Sequence, residues 1–479
     1  MKQYHVFLVL AVLMSMVGTK AFAYDIAIEN EDGITIYYNY INNSTELEVT
    51  SSYSSYYTGD IVIPESVTIF NRTRNVTSIG DYAFYYCGSL SSVTIPASVT
   101  SIGEGAFCGC IDLSSVNIPA SVTSIGNAAF FYCTDLEKVI VKDFAAWCSI
   151  SFYDSSSNPL RYAHHLYADE NTEITDFAIP EGVTSIGEYA FYECSGLSSV
   201  TIPASVTSIG SDAFYKCSGL KKVIVKDLAA WCSISFGNRW ANPLRYAHHL
   251  YTDENTEITD LVIPEGVTSI GDYAFYECSG LSSVTIPEGV TSIGYYAFYE
   301  CSGLSSVTIP ASMTSIGYCA FNGCSGLGSV TIPEGVTSID WWAFYRCSGL
   351  SSVTIPASVT SIGDYAFDNC ENLATIVSFI EEPSSVSFYD SSFSSITLNN
   401  ATLLVPQGTT EKYKAAEGWK KFVWIEEGVP AGIKLPTSEN VESAGVLRYA
   451  PDGRRLAEPK RGLNIMKMPD GKTKKVIVR

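Results

Sequence analysis

Between Cys87 and Cys370 one phrase recurs ten times, and Ser283–Cys301 (SVTIPEGVTSIGYYAFYEC) is a clean copy of it, with neighbouring copies mostly 23 residues apart. A unit this short cannot bury its own apolar positions. Copies must stack in line and share one core, so the chain is predicted to be a repeat solenoid whose length counts rungs rather than globular domains.

Each unit reads Leu-x-x-Val-x-Ile-Pro, then x-x-Val-Thr-Ser-Ile-Gly, then x-x-Ala-Phe-x-x-Cys. The first piece alternates apolar and polar residues, is rich in Val, Ile and Thr, and stops at a proline that has no ladder donor. It predicts one short strand per rung. The glycine after Ile (Gly80, Gly103, Gly126, Gly187, Gly210, Gly271, Gly294, Gly317 and Gly363, with Asp340 once in its place) marks a turn needing positive φ or close backbone approach. In Ala-Phe-x-x-Cys the apolar residues fall at i, i+1 and i+4, which one helical turn can bury. The strand-ending position runs through Ile63, Ile95, Ile118, Val141, Ile179, Ile202, Val225, Ile263, Ile286, Ile309, Ile332, Ile355, Ser378 and Val405, giving fourteen rungs. Two steps, Val141 to Ile179 and Val225 to Ile263, span 38 residues and are near copies of each other. A larger unit has been duplicated, and Asp143–Tyr167 and Asp227–Tyr251 are expected to project from the same side.

The Val-Thr-Ile-Pro, Ser-Ile-Gly and Ala-Phe-x-x-Cys string from Ile63 to about Glu427 resembles the BspA-like, or Treponema pallidum-type, leucine-rich repeats of bacterial surface proteins. The resemblance implies a curved array of short parallel strands with single helical turns or short helices. It also implies adhesion to host proteins, other bacteria or matrix components. Ahead of the array, an apolar run from Val6 to Val17 followed by Ala21-Phe22-Ala23 reads as a signal peptide over 1–23. Residues 24–60 read as an N-terminal cap with one or two strands, 61–377 as the repeats with long rungs at 142–179 and 226–263, and 378–427 as a C-terminal cap. In that last stretch Val405, Pro406, Tyr413, Trp419 and Phe422 are suited to closing the final rung. Residues 428–444 read as a linker. The segment 445–479 is β-rich and resembles the sorting tails of exported Bacteroidetes proteins that use the type IX route, implying attachment at the cell surface. After the leader no stretch approaches the roughly 20 apolar residues of a membrane helix.

The formal net charge is −21, and the excess of acid lies before Thr410, while 410–479 carries more Lys and Arg than Asp and Glu. An acidic body repels phosphate backbones and argues against nucleic acid as a partner. Ten of the 14 cysteines (Cys87, Cys110, Cys133, Cys194, Cys217, Cys278, Cys301, Cys324, Cys347 and Cys370) occupy one repeat position and are read as free thiols in a buried column, although the rung spacing leaves room for some bridging. Cys108, Cys148, Cys232 and Cys319 lie off it.

No catalytic constellation, metal site or cofactor motif emerges, and the chain is read as a non-enzyme. Outside the leader every histidine falls in the long rungs, at His164-His165 and His248-His249. Adjacent side chains on a helix diverge, so a pair cannot chelate alone; His165 with Asp169 and His249 with Asp253 are the pairings the spacing offers, beside the plainer reading of a polar helix face. Cys148 and Cys232 follow Trp147 and Trp231 in apolar surroundings that favour core packing over nucleophilic chemistry.

Two surfaces remain. Strand residues between the apolar positions, expected on the concave side, are mostly hydroxyls: Ser91, Ser92 and Thr94; Ser198, Ser199 and Thr201; Ser282, Ser283 and Thr285; Ser305, Ser306 and Thr308; Ser351, Ser352 and Thr354. Charge enters that row at Glu137, Lys138, Lys221 and Lys222, before the long rungs. The second surface is aromatic, two residues before and one after the repeat Phe: Tyr82 and Tyr85, Tyr189 and Tyr192, Tyr273 and Tyr276, Tyr296 and Tyr299, Trp342 and Tyr345. These rings are candidate binding residues, because Tyr and Trp give large contact area at low entropic cost; the alternative is that neighbouring rungs pack the rings against each other. The reading is an exported, surface-displayed protein that binds host or bacterial surface proteins or matrix. The alternative is a structural coat component with no dedicated ligand.

Overall fold

In the computed structural model of the chain, residues 24–52 and 56–429 are described, together with the backbone of the strands Leu447–Tyr449, Arg455–Leu456, Gly462–Lys467 and Thr473–Val478. The expected signal peptide and most of the expected linker lie outside the described residues. The four late strands form one antiparallel sheet.

Each of the fourteen strand-ending positions lies within one residue of the end of a strand. Neighbouring coils pair in parallel, as in Val93, Val116, Val139 and Leu166, which sit side by side. The apolar residue of each pair points inward because side chains alternate along a strand. A second ladder is built from two-residue strands at Ser-Ile, such as Ser101–Ile102 against Ser124–Ile125. After the Ile comes the glycine, and of its two possible duties it serves close approach. None of the nine named glycines has positive φ, and a Cβ added at Gly103 would lie 2.6 Å from the backbone nitrogen of Asp81 in the previous coil.

The Ala-Phe-x-x-Cys stretch differs from the expected helical turn. It forms consecutive tight turns, with left-handed residues two before and two after the Phe: Tyr82 (φ 56°) and Tyr86 (φ 53°) flank Phe84, and Tyr296 (φ 59°) and Glu300 (φ 54°) flank Phe298. Alternating handedness aims every second N–H along the stack. Phe84 N donates to Ala106 O at 2.7 Å and Tyr86 N to Cys108 O at 2.8 Å, while Tyr85 N and Cys87 N close turns onto Tyr82 O and Phe84 O at 3.1 Å. An isolated helical turn would leave its terminal groups unpaired; stacked turns use the next coil to satisfy them.

Inside, the columns are continuous. Phe275, Phe298, Phe321, Phe344 and Phe367 stack at 5.1, 5.3, 5.5 and 5.3 Å with rings within 7° of parallel. The column cysteines are buried and free, as are the four off the column. Their thiols do more than fill space, since Cys301 Sγ donates to Phe275 O and Cys324 Sγ to Phe298 O, both at 3.1 Å.

Three strands extend the main ladder beyond the fourteen expected. Leu166–Asp169 and Leu250–Tyr251 lie inside the two 38-residue steps, and Trp424–Val429 follows the last rung. Each long step is therefore a full coil followed by an extra strand. In the first, Phe144–Cys148 and Leu160–Ala163 are short helices, Ser151–Phe152 continues the second ladder, and Leu166–Asp169 extends the main ladder before folding back on Thr172–Glu173. The N-terminal region also holds more than one or two strands. Ile26–Glu29, Thr35–Ile41 and Glu46–Thr50 form an antiparallel meander whose last strand pairs in parallel with Arg72–Ile79. Asn42, Asn43 and Ser44 all take positive φ in its second turn, a conformation that polar Asn tolerates.

Candidate functional site

The chemistry-bearing side chains of the long rungs are engaged in structure. Cys148 and Cys232 are buried, and burial pushes each thiol up to about 12, so neither is a poised thiolate. Beside them the indoles of Trp147 and Trp231 donate to Ala190 O and Ala274 O, both at 2.9 Å, locking each long rung to the next coil. His165 Nδ1 meets Glu173 Oε1 at 2.7 Å and His249 Nδ1 meets Glu257 Oε1 at 2.6 Å, so the partners are not Asp169 and Asp253. Those aspartates instead accept from the hairpin backbone, Asp169 from Asn171 N and Thr172 N at 2.9 Å, and these bonds hold both carboxyls below their ordinary value. His164 and His248 end their helices in left-handed geometry, each with Nδ1 2.9 Å from the backbone oxygen of Glu193 or Glu277. Among the described residues no three His, Cys, Asp or Glu side chains are grouped to hold a metal.

The hydroxyl row is largely spent on the stack. Ser305 Oγ donates to Ser282 O at 2.9 Å and Ser351 Oγ to Gly328 O at 2.8 Å, each 23 residues back. Ser198 and Ser199 both reach Asp176 Oδ1, at 2.8 and 2.6 Å, and Ser283 reaches Asp260 Oδ1 at 2.5 Å. The charges that interrupt the row also have work. Lys138 Nζ donates to Glu170 O at 3.0 Å across the Tyr167 ring, and Lys222 Nζ to Glu254 O at 2.8 Å across Tyr251. Each lysine fastens the tip of an inserted hairpin.

The ten aromatic candidates sit on the stacked turns, and the structure divides them. Tyr82 and Tyr85 are exposed and meet edge to face at 5.4 Å, and the Tyr82 hydroxyl, bonded to Glu104, is raised to about 12. Two coils then interrupt the row, because Gly105 and Ala128 stand in the place of Tyr82. Tyr189 and Tyr192 form a second, half-buried group in which Tyr192 stacks on Tyr215 at 4.9 Å. From Tyr273 onward the rings are continuous: Tyr273 stacks on Tyr296 at 5.5 Å, Tyr276 on Tyr299 at 4.8 Å, Tyr296 meets Tyr318 at 5.4 Å, and Tyr318 meets Trp342 at 5.4 Å. Trp342 lies flat on Tyr365 at 5.5 Å, and Tyr345 meets Tyr365 edge to face at 6.5 Å.

Packing of ring on ring is thus real, and it takes Tyr276 out of reach: it is only 2% exposed, and burial lifts its hydroxyl to about 12. Five rings of the row were missed from the sequence: Tyr295, Tyr318, Trp341, Tyr365 and Tyr389. Tyr295, Tyr318 and Trp341 stand three before the repeat Phe, where most coils carry a polar or acidic residue such as Asp81, Glu188 or Asp272. Aligning that column would have found them. They matter because Tyr295, Trp341 and Tyr389 are exposed at 56, 42 and 42%, more than the half-buried candidates of this stretch. Trp341 meets both Trp342 and Tyr389 at 6.0 Å, so the exposed rings continue the packed ones outward. Acids border the row, and burial, with Glu277 as a secondary cause, raises the Glu300 carboxyl.

No helix among the described residues is long and apolar enough to cross a membrane. The sequence profile of the BspA type leucine-rich repeat region, which describes six repeat copies, matches residues 63–168, 164–238, 250–374 and 348–410. Similar solved structures include a leucine-rich cell surface protein of Faecalibacterium prausnitzii, 27% identical with a TM-score of 0.46 over 74% of this chain and 95% of that one. A leucine-rich repeat protein of Bacteroides ovatus is 25% identical, with a TM-score of 0.47 over 84% of this chain and 100% of that one. The leucine-rich repeat protein of Treponema pallidum is 22% identical, with a TM-score of 0.25 over 56% and 87%. No curated protein sequence is similar enough to extend the comparison. With the repeat profile matching well over half its length and the coils built as that repeat requires, the chain belongs to the BspA-type leucine-rich repeat family.

Proposed function

We propose that the chain is an exported, surface-displayed repeat protein that binds protein or matrix partners in the manner of an adhesin, through the aromatic row that begins at Tyr273. The observation that carries this reading is the trio Tyr295, Trp341 and Tyr389, exposed at the edge of a row whose other rings hold them in place. Rigid aromatic contact area of this kind is what interfaces concentrate.

The chemistry of the partner follows from the surroundings. Rings of this protein already take cations: Arg239 lies 4.3 Å from the Trp240 ring centre, Arg346 5.2 Å from Tyr345 and Arg245 5.3 Å from Tyr276. An acidic body carrying exposed ring faces suits a partner that presents Lys or Arg. The test is capture of proteins from extracellular matrix and mucus by the mature chain, beside proteolysis of intact cells that carry it. Specific capture together with loss of the chain from shaved cells supports the reading. A chain that resists shaving contradicts surface display, and one that captures nothing and only assembles with itself contradicts the binding role and favours a coat component.

A further inference from the structure

The first inserted hairpin does more than lengthen a rung, because it roofs part of the main ladder. Under its tip is a cavity of about 240 Å³ lined by Ser92, Thr94, Ser115, Asn117, Ile140, Lys142, Asp169 and Glu170, with Val93 beneath. The floor comes from three adjacent strands, Leu90–Thr94, Ser115–Ile118 and Lys138–Val141, in which Asn117 faces Ile140 in register. The roof is preorganised. Lys138 ties the Glu170 carbonyl down at 3.0 Å, and Asp169 holds the turn through Asn171 and Thr172.

Two features point to a ligand. Asn117 stands where six of the fourteen coils carry Thr and no other carries Asn, and its Oδ1 is buried without a hydrogen-bond partner among the described residues. A native fold seldom leaves such a group unmatched. Turning the amide over would only exchange an orphan acceptor for an orphan donor. Around it donors and acceptors interleave: the Lys142 ammonium and the Glu170 carboxylate, neither engaged by another described residue, with the hydroxyls of Thr94 and Ser115. A donor-only cation would meet Lys142, and an anion would meet Asp169 and Glu170. Hydroxyl groups, which both donate and accept, satisfy all of these at once.

We infer that this cavity is a binding site for a sugar residue, with Asn117, Lys142 and Glu170 addressing its hydroxyls and Ile140 under its apolar face. The site is separate from the aromatic row and does not depend on the role given to that row. The duplicated rung supplies a natural control. Its hairpin keeps Lys226, Asp253 and Glu254, but the positions matching Asn117, Thr94 and Ser92 are Thr201, Ala178 and Asp176.

The test is saturation-transfer NMR and titration of the mature chain with glucose, galactose, N-acetylglucosamine and fucose, and with arginine amide as the cationic probe. At least one sugar is expected to bind saturably, and Asn117→Thr to weaken it by about tenfold or more. Thr is the commonest residue of that position in the array, so the variant keeps its ladder. Lys142→Met is expected to act in the same direction, while Trp341→Ser leaves the sugar signal unchanged. The inference is overturned if none of the four sugars binds, if arginine amide binds in their place, or if Asn117→Thr and Lys142→Met both retain the wild-type affinity.

Discussion

At the scale of single residues the repeat column is where stability is concentrated. Phe298 touches a Phe on each side at 5.1 and 5.3 Å and is fully buried. Phe298→Ala removes a ring and leaves a cavity between two coils, for an expected loss of about 3–5 kcal/mol in chemical denaturation. The thiol column sets a pH limit. Burial raises Cys133, Cys194 and Cys370 from the ordinary 9 to about 12, so above pH 9 the unfolded chain releases protons that the folded chain keeps. Stability is therefore complete below pH 9 and falls as pH rises from 9 toward 12, which thermal melts across that range will show. At pH 8 a thiol reagent is expected to label few of the 14 cysteines before unfolding and all of them after; rapid labelling of the native column would contradict the packing. The left-handed positions were the least legible residues. Nothing in the letters of Tyr82, Tyr296 or Trp342 announces φ near 60°, since only Gly usually does, and only the demand of stacked turns for alternating handedness forces it.

Among elements, strands were legible and their insertions were not. Val-x-Ile-Pro carries its own alternation and stop signal, so each expected rung could be placed. Leu250–Tyr251 is two residues long, too short for any period to show; its strand character comes from pairing with Val223 and Ile224. The same long rungs yield a test of how they are held. Trp147→Phe keeps an aromatic ring but leaves Ala190 O with only the 3.1 Å bond from Asn158 Nδ2, and is expected to cost about 1 kcal/mol. Lys138→Met should leave the melting temperature nearly unchanged while the amides of Asn171 and Thr172 exchange faster with deuterium, because it frees only the tip of the hairpin. Unchanged exchange there would show that the lysine does not fasten it.

For the molecule as a whole, uniform coils make a scaffold and the exceptions make its surfaces. The candidate aromatic pairs were legible because they recur; Tyr295, Trp341 and Tyr389 were not, because each breaks a column that is polar elsewhere or lies past the last clean copy. The proposed recognition rests on those exceptions. The most direct measurement is binding of the chain to immobilised matrix and mucus proteins, compared with the triple variant Tyr295→Ser, Trp341→Ser, Tyr389→Ser and with a control variant, Ser305→Ala, Ser351→Ala, in the hydroxyl row. All three rings are largely outside the core, so folding is expected to persist in the variant and is checked by melting. Loss of binding in the triple variant with retention in the control is the predicted result; equal binding by the wild type and the folded triple variant would contradict it.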